Sequence, residues 1–227
     1  MKITIVPAYN EESTIVRVIY ELKKLGFKVV VVDDGSSDRT NELAVKAGAI
    51  VLTHKNNRGK GIALKTGFDY VIKNFPGVKC ITTIDADFQY HPKNMVKLIK
   101  PIERREADVV MGYRDWRKVP FRHKLGNLVW RTLFNLFFKT KLRDTNCGLM
   151  AFSRDSIKVV RKALRGGYIV ENSILVEAIN NGLKIKQVPV KVNYKKKSGL
   201  FRGIKIVLGV SIFLVKEGVK YVTKNNK

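Results

Sequence analysis

The stretch that decides the fold of this chain is residues 79–89, KCITTIDADFQ. Residues 79–84 form an apolar run that predicts a buried strand. Asp85, Asp87 and Gln89 follow at alternate positions, and in an extended segment such side chains point to the same side. Because oxygen ligands suit Mg²⁺ or Mn²⁺, the spacing favours a divalent-cation site. A solvated turn after a strand is the alternative that this motif alone leaves open.

Two segments nearer the N-terminus repeat the arrangement of a strand followed by a polar loop. Residues 3–6 form an apolar run that ends in the polar segment 7–13, and residues 28–32 form another that ends in 33–38. A helical pattern follows each loop. Strands that alternate with helices predict a parallel sheet, whose ligands bind beyond the carboxyl ends of the strands. We therefore expect the three acidic loops to converge on one edge of the sheet.

Four motifs, in this order, resemble those of a known family: PAYNE at 7–11, VDDGSSD at 32–38, NRGKG at 57–61 and DADFQ at 85–89. The chain resembles family 2 glycosyltransferases of the dolichol-phosphate mannose synthase type. The resemblance covers residues 1–155, and it weakens beyond them. It implies an α/β fold of the Rossmann-like GT-A type, with a mostly parallel central sheet flanked by helices, plus a C-terminal amphipathic helix.

The resemblance implies that these loops bind a nucleotide-sugar donor. The residues that would contact the donor are Pro7, Tyr9, Glu11, Val32, Asp34, Asp85, Ala86, Asp87 and Gln89. The Asp34 carboxylate would accept hydrogen bonds from the base, whereas Asp33 would support the turn. A metal held by Asp85, Asp87 and Gln89 would neutralise the departing diphosphate. Capping of the next helix by Ser36 or Asp38 is the purely structural interpretation of the second motif.

Cationic side chains are expected around the phosphates. Arg114 lies at the carboxyl end of a predicted strand, which favours a contact with the donor or acceptor phosphate over a plain surface charge. By resemblance, Arg122 would grip the acceptor phosphate, although Gly126 replaces a serine that the synthases tend to carry. Asp87, Arg114 and Arg122 are therefore the candidate catalytic residues. A basic segment after the last strand would close over the diphosphate, unless it is solvated or faces lipid; its candidates are Lys195, Lys197 and Arg202.

Composition indicates one sizeable core in a chain of 227 residues, of which 45% are apolar. We expect a catalytic domain over residues 1–200 and a basic amphipathic membrane-interface helix over 201–227. Cys80 and Cys147 are too few for a disulfide framework, so both are expected to be free thiols in a reducing compartment. The first strand begins directly after residue 2, which leaves no room for a signal peptide and predicts a cytoplasmic location.

The net charge of +25 favours polyanionic partners: nucleic acid, an anionic membrane surface or a phosphorylated substrate. Residues 184–227 are rich in Lys and Arg, with Glu217 as the single acid, and they include the apolar stretch 206–215. That stretch is shorter than the roughly 20 residues that cross a bilayer. We therefore expect an interfacial helix there and a second one at 125–142, so that the protein sits peripherally on the inner face of the cell membrane. An ordinary core helix is the alternative for each segment.

The resemblance also implies a polyprenyl or dolichyl phosphate acceptor, which would simplify the chemistry. A phosphate monoester has a second pKa near ~6, so at neutral pH it is largely dianionic and attacks without a general base. The expected activity is inverting transfer of a hexose, with mannose from GDP-mannose as the best guess, at the cytoplasmic membrane face. Glu171 is a possible base or donor contact. By resemblance, enzymes that act on sugar hydroxyls often have a Glu-Asp pair where this chain has Glu171-Asn172, which favours an acceptor that needs no base.

Three alternatives remain at this stage. A family 2 enzyme could use a UDP-sugar and a sugar hydroxyl acceptor in glycan or polysaccharide synthesis, with Glu171 as its base. A basic nucleic-acid-binding protein would suit the charge, but the sequence contains none of the recognisable binding motifs, so no nucleic acid partner is expected. A nucleotidyltransferase shares the fold class, but usually has a glycine-rich signature near its start, and residues 7–13 contain no glycine.

Overall fold

The computed structural model describes residues 1–115, 121–165, 169–193 and 200–225, including their side chains except at 121–126, 200–208 and 225. The strands are β1 Lys2–Ala8, β2 Phe27–Asp33, β3 Ile50–Thr53, β4 Cys80–Thr83, β5 Val109–Arg114, β6 Met150–Ser153 and β7 Ile185–Val190. The helices are α1 Ile15–Lys24, α2 Thr40–Lys46, α3 Lys60–Asn74, α4 Met95–Glu103, α5 Phe121–Phe138, α6 Arg154–Val160, α7 Val170–Asn180 and α8 Leu200–Asn225. Short 3-10 helices span Pro92–Asn94 and Arg161–Ala163.

The described strands form a seven-stranded sheet in the order β3-β2-β1-β4-β6-β5-β7. β6 is antiparallel to both its neighbours, β4 and β5, and the other pairings are parallel. The mostly parallel α/β sheet predicted from the sequence is therefore confirmed. Because β1, β2 and β4 run in the same direction, the loops that follow them leave the sheet at a common edge.

The strand and helix patterns follow from which faces are buried. β2 is apolar from Val29 to Val32 and buried along that whole length, as expected for a central strand covered on both faces. α1 buries one stripe, at helical spacing, formed by Ile15, Val18, Ile19 and Leu22. α3 approaches the sheet closely at Gly67, where a Cβ would lie 2.5 Å from Ile5. The Gly67 contact packs the middle of α3 against β1 and β2, at Ile5 and Val32.

α5 and α8 pack against each other. The rings of Phe138 and Tyr221 are 5.2 Å apart, and a Cβ at Gly218 would overlap Phe137. Within this pair, Phe134 and Leu214 are fully buried. The apolar periodicity of both segments thus has a packing role, which is the alternative that the sequence left open.

The same two helices also expose apolar side chains on the faces turned away from this contact. These residues are Leu128, Val129 and Leu136 of α5, and Ile212, Val215 and Val219 of α8. Lys216 and Lys220 are also exposed, next to the exposed apolar residues of α8. Among the described helices, none is both long enough and apolar enough to span a membrane.

Cys80 and Cys147 are free and buried, as expected from their number. Burial raises the pKa of each thiol to about 12, so both are protonated at neutral pH. Neither position has the electropositive, exposed surroundings of a reactive cysteine.

Candidate active site

The loops that follow β1 and β2 are tied to each other. The Asn10 carboxamide accepts a hydrogen bond from the Ser37 amide at 2.9 Å, and the Asn10 amide donates to the Ser36 hydroxyl. The Glu11 amide donates to the Thr40 hydroxyl at 2.8 Å. Since Thr40 begins α2, these bonds fix the first loop against the start of the next helix. The convergence of the first two acidic loops, expected from a parallel sheet, is thus built from direct contacts.

Asp33 and Asp34 have different partners. One oxygen of Asp33 accepts from the Ser36 amide and the other from the Asn41 side chain, so Asp33 supports the turn. Asp34 is buried and lies 2.7 Å from the Nδ1 atom of His54. Its carboxylate also accepts hydrogen bonds from the backbone amides of residues 58 and 59, at 3.0 and 2.7 Å. Asp34 therefore fixes the chain just before α3.

A cavity of about 660 Å³ opens beside these loops. Its lining includes Pro7, Tyr9 and Asp34, which the sequence predicted to bind a nucleoside, and Glu171 from the start of α7. Its remaining lining is Ala8, Asn57, Arg58, Gly59, Lys60, Ala63 and Val170. The loop 57–60 thus forms one wall of the cavity, and the hydrogen bonds from its backbone to Asp34 hold that wall in place.

Lys60 connects this cavity to the loop after β4. Its Nζ atom lies 2.5 Å from Oδ1 of Asp85 and 2.7 Å from Oε1 of Glu171. Burial by itself would lower the pKa of Lys60, but the two carboxylates outweigh burial and raise that pKa above its ordinary value. Lys60 therefore remains charged between an acid of the predicted metal motif and an acid of the cavity.

Gly148 lies against the same ion pair. A Cβ built at this position would be 2.4 Å from Oδ2 of Asp85 and 2.7 Å from the Lys60 ammonium. No side chain has room there, so glycine is required for Asp85 and Lys60 to keep their positions. Gly148 lies in the loop that leads into β6 at Met150.

Exposure alternates along the loop after β4, but residues 86–89 form a turn in which Phe88 has a φ of 56°, not the extended segment that the sequence pattern predicted. Asp85, Asp87 and Gln89 are each partly exposed, whereas Ala86, Phe88 and Tyr90 are buried. Asp87 accepts a hydrogen bond from the backbone amide of Gln89 at 3.0 Å. Partly exposed carboxylate and amide oxygens are the ligands that Mg²⁺ and Mn²⁺ prefer, so the side chains present fit such an ion. The ligand set itself remains a prediction.

Arg114 lies at the end of β5, but its guanidinium is held within the protein. Nε and Nη2 donate to the two oxygens of Asp144 at 2.6 and 2.8 Å, and Nη2 also donates to Asn127. Burial alone would lower the pKa of Arg114, whereas Asp144 raises it above the ordinary value. A contact between Arg114 and a phosphate remains a prediction.

Asn172 does not line the cavity beside Glu171. It is completely buried, and its side-chain amide donates to Oδ1 of Asn146 at 2.7 Å. Asn146 in turn donates to the Asn127 carboxamide. The second position of the Glu171-Asn172 pair therefore points into a buried amide network that reaches the Arg114–Asp144 ion pair.

The other predicted site residues occupy three kinds of position. Val32 is buried in β2, and Glu11 accepts a hydrogen bond from Thr14 at the entrance to α1. Arg122 and Arg202 belong to α5 and α8, but their side chains lie outside the described part of the structure. Lys195 and Lys197 fall in 194–199, also outside the described residues. The roles of these four cationic residues stay predictions.

Two residues of the site had no role assigned from the sequence. Lys60 lies inside the NRGKG motif, but its partners at 85 and 171 are distant in the chain. His54 has no motif around it, yet it bonds to Asp34 through one ring nitrogen and to Thr66 through the other, at 2.7 and 2.9 Å. His54 directly follows β3 in the structure, and no local sequence feature singled it out.

The mostly parallel, helix-flanked sheet is a fold of the GT-A type, and comparison with known proteins identifies the family of the chain. Residues 3–161 match the family "Glycosyl transferase family 2". The chain belongs to this family, as the sequence motifs predicted.

Two relatives and one solved structure illustrate the similarity. The uncharacterized protein MJ1222 of Methanocaldococcus jannaschii is 38% identical over 215 residues, which cover 92% of this chain and 87% of that protein. The UDP-N-acetylglucosamine–dolichyl-phosphate N-acetylglucosaminyltransferase of Methanococcus voltae is 30% identical, with 92% of each chain covered. Glucosyl-3-phosphoglycerate synthase from Mycobacterium tuberculosis, crystallised with Mn²⁺, UDP and phosphoglyceric acid, superimposes with a TM-score of 0.79 at 23% identity, covering 96% of this chain and 78% of that one. That likeness confirms the GT-A fold.

Proposed function

We propose that this protein transfers one hexose from a nucleotide sugar to a polyprenyl or dolichyl phosphate, with inversion at the anomeric carbon. The observation that carries the proposal is the Lys60 ammonium between Glu171 of the cavity and Asp85 of the β4 loop. It joins a cavity of nucleotide size to a set of oxygen ligands for a divalent ion. A donor in this position would have its nucleoside near Asp34 and its diphosphate near Lys60.

The proposed divalent ion is Mg²⁺ or Mn²⁺, held by Asp85, Asp87 and Gln89. Bound there, it would neutralise the negative charge that develops on the departing nucleoside diphosphate. The fold neighbour crystallised with Mn²⁺ supports a divalent ion without choosing between the two metals. Lys60 adds a fixed positive charge on the same side of the cavity, which stabilises the leaving group further.

Two observations favour a phosphate as the acceptor. Glu171 is held in an ion pair with Lys60, and Asn172 is buried in an amide network, so neither is set up as a free base for a hydroxyl. A dianionic phosphate monoester needs no base, since its oxygen attacks the anomeric carbon while the bond to the diphosphate breaks. The relative of Methanococcus voltae is named for a dolichyl-phosphate acceptor.

The donor is proposed as a nucleotide hexose whose base is still to be measured. The sequence resemblance favours GDP-mannose. The Methanococcus voltae relative is named for UDP-N-acetylglucosamine, and the fold neighbour was crystallised with UDP, so a uridine donor has more support from similarity.

The membrane-facing surface is proposed to be the exposed apolar faces of α5 and α8. On α8, Ile212, Val215 and Val219 form a stripe at helical spacing, with Lys216 and Lys220 beside it. An apolar stripe flanked by lysines suits the interface of an anionic membrane. The protein would thereby work peripherally at the cytoplasmic face, close to a lipid-linked acceptor.

The donor is tested by incubating the protein with polyprenyl phosphate and Mn²⁺ in detergent. Radiolabelled UDP-N-acetylglucosamine, UDP-glucose and GDP-mannose are supplied in turn. We expect one of the three to label the organic phase, and chelation by EDTA to abolish that label. Label that stays in the aqueous phase with all three donors would count against the proposed acceptor.

A second candidate is transfer from a UDP-sugar to a hydroxyl acceptor. The observation in its favour is the placement of Glu171 in the cavity lining, where it would act as base once it is released from Lys60. Under this alternative, the Glu171→Gln variant would lose turnover while still binding the donor, and the product would carry no lipid phosphate.

A further inference from the structure

Asp85 is the point at which Lys60 and the proposed divalent ion would both bind one carboxylate. Lys60 donates to Oδ1 of Asp85 at 2.5 Å, and Asp85 is also a proposed ligand of the divalent ion. The side chains of Lys60 and Asp85 are each about 30% exposed, so bulk water screens their charges only partly. A divalent ion on Asp85 would therefore be repelled by the Lys60 ammonium.

The absent side chain of Gly148 leaves the space in which Asp85 and Lys60 meet. Its second oxygen lies over Gly148, at a point where even a Cβ would come within 2.4 Å. The Lys60 ammonium lies over the same glycine, 2.7 Å from that point. Asp85 and Lys60 thus share one small volume beside Gly148, so a divalent ion bound to Asp85 would lie close to the Lys60 ammonium.

Glu171 gives Lys60 another partner. Its Oε1 atom is 2.7 Å from Nζ, and its side chain is the least exposed of the three at 12%. If Lys60 releases Asp85, its charge remains paired with Glu171 in a partly buried position. The cost of leaving a partly buried ammonium without a counter-charge is thereby avoided.

We propose that Lys60 and the divalent ion compete for Asp85, and that Glu171 holds Lys60 when Asp85 binds the metal. This inference rests on the metal assignment made above. In this arrangement Lys60 is a positioning residue that sets the metal affinity of the site, in addition to its effect on the leaving group. Glu171 acts on the metal through Lys60.

The test is direct titration of Mn²⁺, followed by electron paramagnetic resonance of the free ion, without donor or acceptor. Lys60→Gln removes the competing charge and keeps a polar side chain of similar length. A neighbouring charge changes the affinity of a carboxylate for a proton by roughly 1–3 logarithmic units. We expect a change of comparable size here, so that the Lys60→Gln variant binds Mn²⁺ at least about tenfold more tightly than the wild type.

Lys65→Gln is the matched control, because Lys65 is an exposed lysine on the same helix and its loss changes the net charge equally. It should bind Mn²⁺ like the wild type. Unchanged or weaker binding by Lys60→Gln would overturn the inference. Equal tightening in both variants would also overturn it, since that result reports net charge rather than competition at Asp85.

A second measurement tests Glu171, and its single variant leaves Lys60 in place, so it does not depend on how Lys60→Gln folds. In the Glu171→Gln variant, Lys60 depends on Asp85 alone, so Mn²⁺ binding should weaken by about tenfold or more. In the double variant with Lys60→Gln, the same Glu171 substitution should have a much smaller effect. If Glu171→Gln has the same effect on Mn²⁺ binding in the wild type and in Lys60→Gln, Glu171 acts on the metal by its own charge. That result would overturn its proposed action through Lys60.

Asp87→Ala separates this inference from the metal assignment. If the wild type binds Mn²⁺ and Asp87→Ala does not, the metal site stands, and the Lys60 variants decide the competition. If neither the wild type nor Lys60→Gln binds Mn²⁺, the metal assignment and the inference both fail. The transfer assay then tests the glycosyltransferase proposal by itself.

Discussion

Asp144 holds Arg114 through two hydrogen bonds of 2.6 and 2.8 Å, with the Asp144 side chain completely buried. This ion pair fixes the carboxyl end of β5 against the loop 144–149. Gly148 of that loop lies beside Asp85. The position of the Arg114 guanidinium, and with it any catalytic role, therefore depends on Asp144, which is 30 residues away in the chain.

Asp144→Asn should be strongly destabilising. Removing one partner of a buried ion pair leaves an uncompensated charge, at a cost of about 3–5 kcal/mol in the free energy of unfolding. Urea unfolding measures this change. Asp155→Asn is the control, because Asp155 pairs with Lys158 on the surface, and no measurable change is expected there. Equal unfolding midpoints for the two variants would contradict a structural role for the Arg114–Asp144 pair.

His54 should affect donor binding through Asp34. His54→Leu removes a hydrogen bond to a charged acceptor, worth about 1.5–3 kcal/mol, so the KM for the donor should rise about 10- to 100-fold with kcat little changed. His54→Asn retains a donor near the position of Nδ1 and should recover most of the affinity. An unchanged KM in His54→Leu would show that Asp34 does not depend on this contact.

Gly148→Ala should lower the rate of transfer, because the added methyl group displaces the ends of the Asp85 and Lys60 side chains. Initial rates of sugar transfer measure the loss. Gly209→Ala is the matched control: nothing lies within 4 Å of a Cβ at that position of α8, and alanine stabilises a helix interior by roughly 0.5–1 kcal/mol. Full activity in Gly148→Ala would mean that the close approach of Gly148 to Asp85 does not matter for catalysis.

Ile212→Glu should weaken binding to anionic vesicles. Ile212 is 67% exposed on α8, and burying an isoleucine side chain contributes about 1.5–3 kcal/mol, so vesicle affinity should fall about 10- to 100-fold. Sedimentation with phosphatidylglycerol vesicles measures it. Val45→Glu makes the same change of charge at a 56% exposed position of α2, and its binding should stay near that of the wild type. A similar loss in both variants would assign the effect to net charge.

The sequence predicted those features that depend on local pattern. The strand-to-loop transitions after β1, β2 and β4 and the mostly parallel sheet follow from short-range periodicity and from the direction of parallel strands. The alternating exposure along 85–90 was expected from an extended segment, but it arises in a turn with Phe88 at a φ of 56°. The meeting of the first two loops, through Asn10 and Ser37, is a consequence of that direction.

The remainder depends on contacts between distant segments. Lys60, Asp85 and Glu171 come from three separate parts of the chain, and no pattern in any one of them indicates the other two. Helical periodicity showed that α5 and α8 are amphipathic, but it could not show that each helix has one face packed on the other helix and a second apolar face exposed. From the sequence, Asn172 was interpreted as the loss of a second carboxylate beside Glu171. In the structure its side chain is buried and hydrogen-bonded to Asn146.

The most direct test of the central claim is to present the same lipid with and without its phosphate. Protein, labelled nucleotide sugar and Mn²⁺ are incubated with either polyprenyl phosphate or the matching polyprenol, with Asp87→Ala as the inactive control. We predict that only the phosphorylated lipid is labelled by the wild type, and that nuclear magnetic resonance shows the sugar joined to phosphate through an inverted anomeric carbon. Transfer to polyprenol, or to a sugar hydroxyl with no labelling of the lipid phosphate, would contradict the account.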